Sequence, residues 1–439
     1  MSKRVLLIQP PFERLMGYSR YYSNIGLLSL AGVIENGGHE IMVYDADYNP
    51  DGTSYSTLEL YNEYSKYVDE FSSPSSKIWD EIQDVIEEYN PDVIGITVLT
   101  VTLDSAKKVA SIAREVKSNV TIFTGGVHAT MCPEDLVEFS DYVIQNEGES
   151  VVLDVIEGNV QQKIIKGDRI LDLDSLPLPA IHCLYNLENY NVRDLSMVIS
   201  SRGCPNACKF CNSPAIWKRK VVRKSVDYFI KEIKHVRDKY GVKEFFIADD
   251  SFSYDNKWLI KFCEEVKKLN VKWRCLDRVD YVTQEKLDLM REAGCINIKY
   301  GIESGCQRTL DRVSKNIKIE DVYRVNELLT KNNINWGAYF IVGFPGETKE
   351  DILMTKSLIE SLSANCITVS IFTPYPGNGL YGFDKLDYKQ FSHHSPNNNF
   401  TGVLSDDEFH ELVKEILVYV ETRNREYDNG ILIKNRMQV

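Results

Sequence analysis

SRGCPNACKFCN, residues 201–212, places Cys204, Cys208 and Cys211 in a C-x3-C-x2-C spacing immediately after a predicted strand. Thiolates this close together on one loop can converge on one face of a small metal centre. Three ligands leave one iron of a four-iron cluster without a protein ligand, and that iron is open to the amine and carboxylate of an amino acid. The spacing therefore predicts a [4Fe–4S] cluster with one open iron.

Two other interpretations of this loop remain open. A zinc site usually has four protein ligands, but His182 and Cys183 lie well before the loop and no second C-x2-C pair follows it. Cysteines that only pack in a core would share an apolar stripe, and the remaining cysteines of the ten in the chain are scattered. Both alternatives fit the spacing less well than an iron–sulfur cluster.

The composition is that of a folded protein and gives no sign of a nucleic-acid-binding surface. At 439 residues, the chain is long enough for two or three domains. A net charge of −13 opposes general binding to phosphate backbones. The N-terminal apolar run Val5–Ile8 is far shorter than a signal peptide or a membrane span requires. We therefore expect a cytoplasmic protein with reduced cysteines, no membrane contact and no nucleic-acid partner.

Residues 1–158 alternate short apolar runs with amphipathic segments, the pattern of parallel strands joined by crossover helices. The predicted strands are Val5–Gln9, Glu40–Asp45, Val93–Val98, Thr121–Thr124 and Tyr142–Gln145. This pattern predicts a doubly wound, Rossmann-like sheet, which binds ligands beyond the carboxyl ends of its strands where the strand order reverses. Gly125–Gly126 follows one such end and either lets a ligand approach the backbone or only makes a tight turn.

Residues 159–195 lose this alternation and, with Pro177 and Pro179, are predicted to form an extended linker. A second alternating series covers residues 196–376, with strands predicted at Met197–Ser200, Phe245–Ala248, Lys272–Cys275, Asn297–Tyr300, Asn335–Ile341 and Thr368–Phe372. This number of strand–helix units predicts a partial (β/α)6 barrel of the TIM type, with its active site at the carboxyl ends of the strands. Residues 377–439 are polar and turn-rich and then helical over Ser405–Arg423, which predicts a short C-terminal capping region.

The segment CPNACKFC resembles the cluster-binding loop of the radical S-adenosylmethionine (SAM) superfamily, with Phe210 in the aromatic position before the last cysteine. IADDSFSYD, IKYGIESG and YFIVGFPGE, at three later strand ends, resemble the segments that hold SAM in that superfamily. Carboxylates at a barrel mouth suit an ammonium group and ribose hydroxyls, although each alone could be a surface acid or a helix cap. The resemblance implies SAM contacts at Phe210, Asp249, Asp250, Arg278, Glu303, Ser304, Gly343 and Gly346.

The stretch TGGVHATMCPEDLVEFSDYVIQNEGE is similar to part of the cobalamin-binding domains that precede some radical SAM barrels. Domains that hold cobalt through a histidine carry D-x-H-x-x-G, which does not occur here, so the resemblance implies a lower face without histidine, covered by Val98–Thr100. His128 is then expected to contact the corrin rim or the nucleotide tail, or only to stabilise a turn. The implied cobalamin contacts are Tyr22, Gly26, Thr97, Val98, Leu99, Thr100, Thr102, Gly125, Gly126, His128, Ala129, Glu147 and Gly148.

These resemblances imply a cobalamin-dependent radical SAM methyltransferase of the class B type. SAM cleaved at the reduced cluster would give the 5′-deoxyadenosyl radical, and methylcobalamin would supply a methyl group to an unactivated carbon or, as a less favoured target, to phosphorus. Rearrangement or cyclisation without methyl transfer is the alternative within the superfamily, and an iron–sulfur regulatory or electron-transfer protein is the alternative outside it. The expected partners are a small-molecule, peptide or protein substrate and a one-electron reductant of the flavodoxin or ferredoxin type.

Overall fold

The computed structural model describes residues 1–19, 21–50, 52, 55–72, 74–332, 334–380 and 392–436, which form two parallel sheets with surrounding helices. The first sheet consists of β1 (Arg4–Gln9), β2 (Glu40–Asp45), β3 (Val93–Thr97), β4 (Thr121–Gly125), β5 (Tyr142–Gln145) and β6 (Ile164–Lys166). Its helices are α1 (Ile25–Asn36), α2 (Thr57–Ser72), α3 (Ile78–Tyr89), α4 (Leu103–Val116), α5 (Val127–Met131) and α6 (Val152–Glu157). The predicted doubly wound α/β architecture is confirmed.

The first sheet has its strands in the order β2-β1-β3-β4-β5-β6. Val5–Ile8 of β1 are fully buried, as expected for a parallel strand that helices cover on both faces. The order reverses between β1 and β3, because the chain adds β2 on one side of β1 and all later strands on the other. This reversal opens a crevice at the carboxyl ends of β1 and β3, where a ligand is expected.

The strand β6 lies inside the segment that the sequence predicts to be a linker. It pairs in parallel with β5, with Val143 opposite Ile164 and Gln145 opposite Lys166. The first sheet therefore extends past residue 158 into the 159–195 segment. A strand of three residues is too short to give an alternating pattern, which explains why the sequence does not mark it.

The second sheet consists of β7 (Met197–Val198), β10 (Glu244–Ile247), β11 (Lys272–Asp277), β12 (Cys295–Glu303), β13 (Asn335–Val342) and β14 (Cys366–Ile371). Between β7 and β10, β8 (Ser201–Arg202) and β9 (Val222–Arg223) form a small antiparallel pair. The helices are α7 (Ser213–Trp217), α8 (Val226–Tyr240), α9 (Asn256–Val266), α10 (Gln284–Glu292), α11 (Gln307–Arg312), α12 (Ile319–Lys331), α13 (Lys349–Ser361) and α14 (Asp406–Arg436).

This second sheet is the predicted partial barrel. Its strand order is β14-β13-β12-β11-β10-β7, and the edge strands β7 and β14 do not pair with each other among the described residues. Burial alternates along β12: Ile298, Tyr300 and Ile302 are buried in the main core. Since successive side chains of a strand point to opposite faces, Lys299 and Gly301 face the barrel interior.

The helix α14 closes the β14 side of the barrel and also contacts α2 of the first domain. It begins at Asp406 and extends to Arg436, beyond the predicted Ser405–Arg423. Parts of the predicted C-terminal region, residues 381–391 and 437–439, lie outside the described residues. No helix in the described part of the chain is both long and apolar enough to cross a bilayer.

The segment between the two sheets crosses α1 at a glycine. The backbone N–H of Ala180 donates to Leu28 O (2.9 Å), and a Cβ at Gly32 would lie 2.6 Å from Leu178 O. A contact that short would push the crossing chain away, so glycine is needed here. The crossing fixes the path of Leu176, Pro177 and Pro179, which line the candidate site.

Gly32→Ala is expected to lower the melting temperature, although alanine is the better helix former by about 1 kcal/mol. The clash with Leu178 O outweighs that gain, and we expect a net loss of about 1–3 kcal/mol. Circular dichroism melts should be compared with those of Asn36→Ala, an exposed position on the same helix. A Gly32→Ala protein as stable as the wild type would contradict a close crossing.

Candidate functional site

The loop with the three cysteines starts at a position that requires glycine. Gly203 has φ = 103°, and a Cβ there would lie 2.3 Å from Lys220 O. Further along, the N–H of Lys209 donates to Val313 O (2.9 Å), and Lys209 O accepts from the N–H of Gly379 (2.7 Å). The loop is thus held between segments that follow later strands of the barrel.

Every cysteine sulfur of the loop accepts a hydrogen bond within the protein. The pairs are Asn206 Nδ2 to Cys204 Sγ (3.3 Å), the Ser213 N–H to Cys211 Sγ (3.4 Å) and Arg278 Nη1 to Cys208 Sγ (3.8 Å). Such donors stabilise negative charge on sulfur, as thiolate ligands require. The donor set therefore fits the predicted iron–sulfur cluster.

Burial favours the protonated form of two of the three thiols. It raises the pKa of Cys208 against the opposing charges of Lys315 and Arg278, and it raises the pKa of Cys211 to about 12. A coordinated metal ion deprotonates its thiol ligands. Metal binding and thiolate formation in this loop are therefore coupled.

Phe210 joins a small apolar cluster beside the cysteines. Its ring centroid is 5.6 Å from that of Phe344, and Val313 and Phe372 belong to the same cluster. Lys315 Nζ lies 5.8 Å from the centroid of the Phe210 ring. Phe210 thus links the cluster-binding loop to the Gly343–Gly346 loop, where SAM contacts are expected.

A buried ion pair lies next to this apolar cluster. Lys315 Nζ is 2.7 Å from Glu303 Oε1, and both side chains are less than a tenth exposed. Glu303 has φ = 73° and follows a register shift in β12, and strain of this kind collects at functional sites. Arg278 Nη2 donates to Lys315 O (2.9 Å), which connects the pair to Cys208. The sequence pointed to Glu303 and Arg278, but it missed Lys315 because no motif marks its loop.

The two adjacent acids after β10 have different surroundings. The carboxylate of Asp249 accepts hydrogen bonds from the backbone N–H and hydroxyl groups of Ser200 and Ser201. Asp250 accepts one from Ser213 Oγ (2.7 Å) and lines the central cavity, and burial raises its pKa. Of the two predicted ammonium contacts, Asp250 is the one that faces open space.

The hydroxyl group of Ser304 forms hydrogen bonds within the protein. Its hydroxyl is 3.1 Å from Thr355 Oγ1 and accepts from the N–H of Cys306 (3.1 Å). The side chain is fully buried. Its observed role is to hold the turn after β12.

Glu347 holds the loop that contains the predicted SAM contacts Gly343 and Gly346. Gly343 and Gly346 have φ of 91° and 75°, and Glu347 Oε2 accepts from the N–H groups of Gly343 (2.6 Å) and Phe344 (3.1 Å). Glu347 Oε1 is buried with no hydrogen-bond partner in the described part of the chain. Burial raises the pKa of Glu347 to about 8, against the hydrogen bonds from Gly343 and Phe344, and so favours the protonated carboxyl group.

A cavity of ≈ 350 Å³ lies between the carboxyl edge of the first sheet and the barrel mouth. The sheet contributes Leu7, Ile96, Phe123 and Ile144, the connecting segment contributes Leu173, Leu176, Pro177 and Pro179, and the barrel side contributes Ser201, Arg202, Gly203, Ala248 and Asp250. A largely apolar crevice at the strand-order reversal is where a doubly wound sheet binds a ligand, so it is the candidate site for the predicted cobalamin. The sequence missed the contribution of the connecting segment because residues 173–179 only come near the sheet after folding.

The predicted cobalamin contacts divide into two groups. Those that line the cavity are Gly26, Thr97, Gly125, Gly126, Glu147 and Gly148, whereas Tyr22, Val98, Leu99, Thr100, Thr102, His128 and Ala129 are not part of its lining. Val98 and Ala129 are fully buried in the core of the first domain, while Leu99 is 37% exposed at the end of β3. Within Val98–Thr100, Leu99 is therefore the side chain available to a ligand.

His128 is fully buried, and both of its ring nitrogens are bonded within the first domain. Nδ1 lies 3.1 Å from Thr100 Oγ1 and Nε2 lies 3.2 Å from Asp135 Oδ2. Burial lowers the pKa of His128 against the opposing charge of Asp135. This placement matches the turn-stabilising alternative for His128 and leaves no ring nitrogen facing the cavity.

Tyr22 reaches from the first domain into the barrel. Its hydroxyl accepts from Arg274 Nη2 (2.6 Å), and its ring centroid is 5.2 Å from that of Phe246. The backbone is in the left-handed region, with φ = 68°. Tyr22 therefore faces the barrel interior and not the crevice of the first sheet.

Glu147 lines the cavity and also joins the two domains. Arg202 Nη1 is 2.7 Å from Glu147 Oε1, and Arg169 Nη1 is 3.0 Å from Glu147 Oε2. Arg202 Nη2 is 2.5 Å from Glu149 Oε1. The sequence singled out Glu147 but not the two arginines, since isolated basic residues carry no pattern.

Two family models match the chain in the order that the structure shows. Residues 18–156 match the model of the B12 binding domain, and residues 198–359 match the model of the Radical SAM superfamily. The first range covers β2 to β5 of the first sheet, and the second runs from the end of β7 into α13 and includes the cysteine loop.

Three curated relatives are similar over most of this chain. The chain is 28% identical to an uncharacterised methyltransferase of Pyrococcus horikoshii, over 69% of this chain and 71% of the relative. It is 28% identical to an anaerobic magnesium-protoporphyrin IX monomethyl ester cyclase of Rubrivivax gelatinosus, over 72% of this chain and 62% of that cyclase. It is 25% identical to a cytidylyl-2-hydroxyethylphosphonate methyltransferase of Streptomyces wedmorensis, over 81% of this chain and 76% of the relative.

A solved structure has a similar fold over most of this chain. The radical SAM methyltransferase TsrM of Kitasatospora setae, with cobalamin and a [4Fe–4S] cluster bound, superposes with a TM-score of 0.64 and 16% identity. The match covers 87% of this chain and 74% of that one. At this identity, the likeness shows a common fold.

Glu347→Gln is expected to flatten the dependence of stability on pH. Glu347 keeps its proton in the folded state up to about pH 8, whereas an unfolded glutamate loses it near pH 4–5. Wild-type stability should therefore fall as pH rises from about 5 to about 8, by up to about 1.4 kcal/mol per pH unit from this group. Melting temperatures of both proteins across that range measure the effect, and parallel curves would contradict it.

Proposed function

Because the chain belongs to the cobalamin-dependent radical SAM enzymes, with a [4Fe–4S] cluster, SAM and cobalamin as cofactors, we propose that it methylates an unactivated carbon centre of its substrate. The cofactors would supply a 5′-deoxyadenosyl radical and a cobalt-bound methyl group. Phosphorus is the less favoured target. A flavodoxin- or ferredoxin-type protein would supply the electron.

One observation carries this proposal: the two halves share a single cavity. Gly125 and Gly126 of the first domain line one side, and Asp250 at the barrel mouth lines the other. A methyl donor held at the sheet edge and a radical formed at the barrel mouth would then act on one bound substrate. Such proximity replaces a bimolecular encounter by a reaction within one complex.

Different residues of the chain would bind the cluster and SAM. Cys204, Cys208 and Cys211 would hold the cluster, and Asp250 would bind the ammonium group of SAM while Ser213 orients it. Among the described residues, no histidine lines the cavity, which supports a cobalamin lower face without a histidine ligand.

The cyclase relative favours a second candidate, which is rearrangement or cyclisation without methyl transfer. Both candidates need the same cluster loop and the same crevice, so they differ only in the fate of the methyl group of SAM. A regulatory or electron-transfer role is not supported, since the curated relatives are enzymes.

Asp250→Asn is expected to weaken SAM binding about tenfold without changing the melting temperature, because the neutral amide loses a charge-assisted hydrogen bond to the ammonium group. Asp249→Asn is the matched control, and it should lower the melting temperature because Asp249 holds Ser200 and Ser201. Isothermal titration of SAM into cluster-loaded protein measures the affinity. Unchanged SAM affinity in Asp250→Asn would contradict the assignment.

Methyl transfer is tested by incubating reduced, cobalamin-loaded protein with SAM that carries a deuterated methyl group. We expect the label on the protein-bound corrin together with S-adenosylhomocysteine, as measured by mass spectrometry. A corrin that stays unlabelled, while 5′-deoxyadenosine is produced, would contradict methyl transfer and favour the second candidate.

Cys208→Ala is the control for this experiment. It should lose the cluster and reduce 5′-deoxyadenosine to background, because two thiolates no longer retain the metal centre. Since Cys208 does not line the crevice, the variant should still bind corrin. Loss of both signals together would point to a folding defect instead.

A further inference from the structure

The barrel interior contains two cationic side chains on neighbouring strands. Arg274 of β11 and Lys299 of β12 alternate with buried residues that face the helices. Tyr22 of the first domain accepts a hydrogen bond from Arg274 Nη2 (2.6 Å). Both cations therefore face the space between the barrel and the first domain.

Lys299 lies over a glycine and beside a phenol. A Cβ at Gly337 of β13 would be 3.0 Å from Lys299 Cγ, so the absence of a side chain there makes room for the lysine stem. Lys299 Nζ is 5.4 Å from the centroid of the Tyr339 ring. The ammonium group is thus directed along the barrel interior.

The charge of Lys299 has no carboxylate counterpart among the described residues. Burial acts to lower its pKa, but the nearby Tyr339, Cys366 and Tyr22 outweigh that effect and raise it. Phenols and thiols are neutral near pH 7, so none of these groups compensates the charge. An enclosed cation without a counter-ion is costly, which favours an anionic ligand group.

Arg274 is only partly compensated. Its Nη1 is 3.5 Å from Glu244 Oε1, and the Glu244 side chain is 48% exposed. Arg274 Nε is buried without a hydrogen-bond partner in the described ranges. The guanidinium therefore has capacity for a further acceptor.

Arg274 lies opposite Phe246 in the barrel sheet, one step away from the cavity that the two domains share. Ala248 lines that cavity, and Phe246, two residues earlier on the same face of β10, contacts Tyr22. A substrate that enters from the cavity would meet Tyr22, Arg274 and Lys299 one step deeper in the barrel.

We propose that this part of the barrel interior binds an oxyanion of the substrate, either a carboxylate or a phosphate group. Lys299 and Arg274 are its cationic contacts, and the hydroxyl groups of Tyr22 and Tyr339 are its further donors. The anion orients the substrate so that its reacting carbon stays in the shared cavity above. This inference rests on the proposed function, because it places the substrate between the two cofactor sites.

The test is isothermal titration of inorganic phosphate, malonate and malonamide into the cofactor-loaded enzyme. Malonamide is the neutral counterpart of malonate, and we expect no binding of it. Stronger binding of malonate identifies a carboxylate site, and stronger binding of phosphate identifies a phosphate site. Lys299→Met should weaken the preferred anion about tenfold or more, because a charge-assisted contact is lost.

Lys272→Met is the matched control, since it removes an exposed lysine at the start of β11 and should leave anion affinity unchanged. Equal anion binding by Lys299→Met and wild type, or no anion binding by the wild type, would overturn the proposal. If Lys299→Met does not fold, Lys299→Gln and Tyr339→Phe replace it. Anion binding needs no turnover, so an unlabelled corrin with intact anion binding would contradict methyl transfer alone.

Discussion

The ion pairs around Glu147 are the interaction on which the arrangement of this protein depends. Glu147 follows the end of β5, and its carboxylate contacts Arg169 of the connecting segment and Arg202 of β8. Arg202 lies two residues before Cys204, so the same contacts that dock the domains also set where the cluster loop begins. The side chain of Glu147 is 3% exposed, and a charge buried to that degree tolerates the loss of a partner poorly. The same ion pairs therefore determine both the docking of the domains and the position of the metal ligands.

Cationic side chains at the barrel mouth balance the negative charge of the cluster loop. Three thiolates and their cluster concentrate negative charge, and the chain places Arg278 against Cys208 and Lys315 just beyond it. Lys315 is balanced in turn by Glu303, whose left-handed backbone turns its carboxylate toward the ammonium. The cations near the cluster are thus held by the protein and do not depend on a ligand. This contrasts with Lys299 deeper in the barrel, which has no such partner among the described residues.

The two regions of the central space differ in chemistry. The crevice of the first sheet is largely apolar, whereas the barrel interior contains the cationic side chains of Arg274 and Lys299. Tyr22 lies at the boundary and belongs to one domain while bonding to the other. A substrate bound there would be held by its charged end in the barrel and would present an uncharged carbon to the cavity. The contact between the charged end and the barrel cations would then position a carbon atom that has no polar group of its own.

The cluster loop and the two α/β units could be predicted from the sequence, because ligand spacing within one loop and the alternation of strands and helices are local properties. It also brought Glu303, Asp250 and Gly125 into the candidate site, since each follows a strand. The folded structure was needed to show that the Asp249 carboxylate binds Ser200 and Ser201, and that both ring nitrogens of His128 are bonded within the first domain. It was also needed to place Lys315, Arg202 and Lys299 in or near the site. Those outcomes depend on strand order and register, which bring together residues far apart in the chain, and no local pattern encodes which distant side chain will lie opposite.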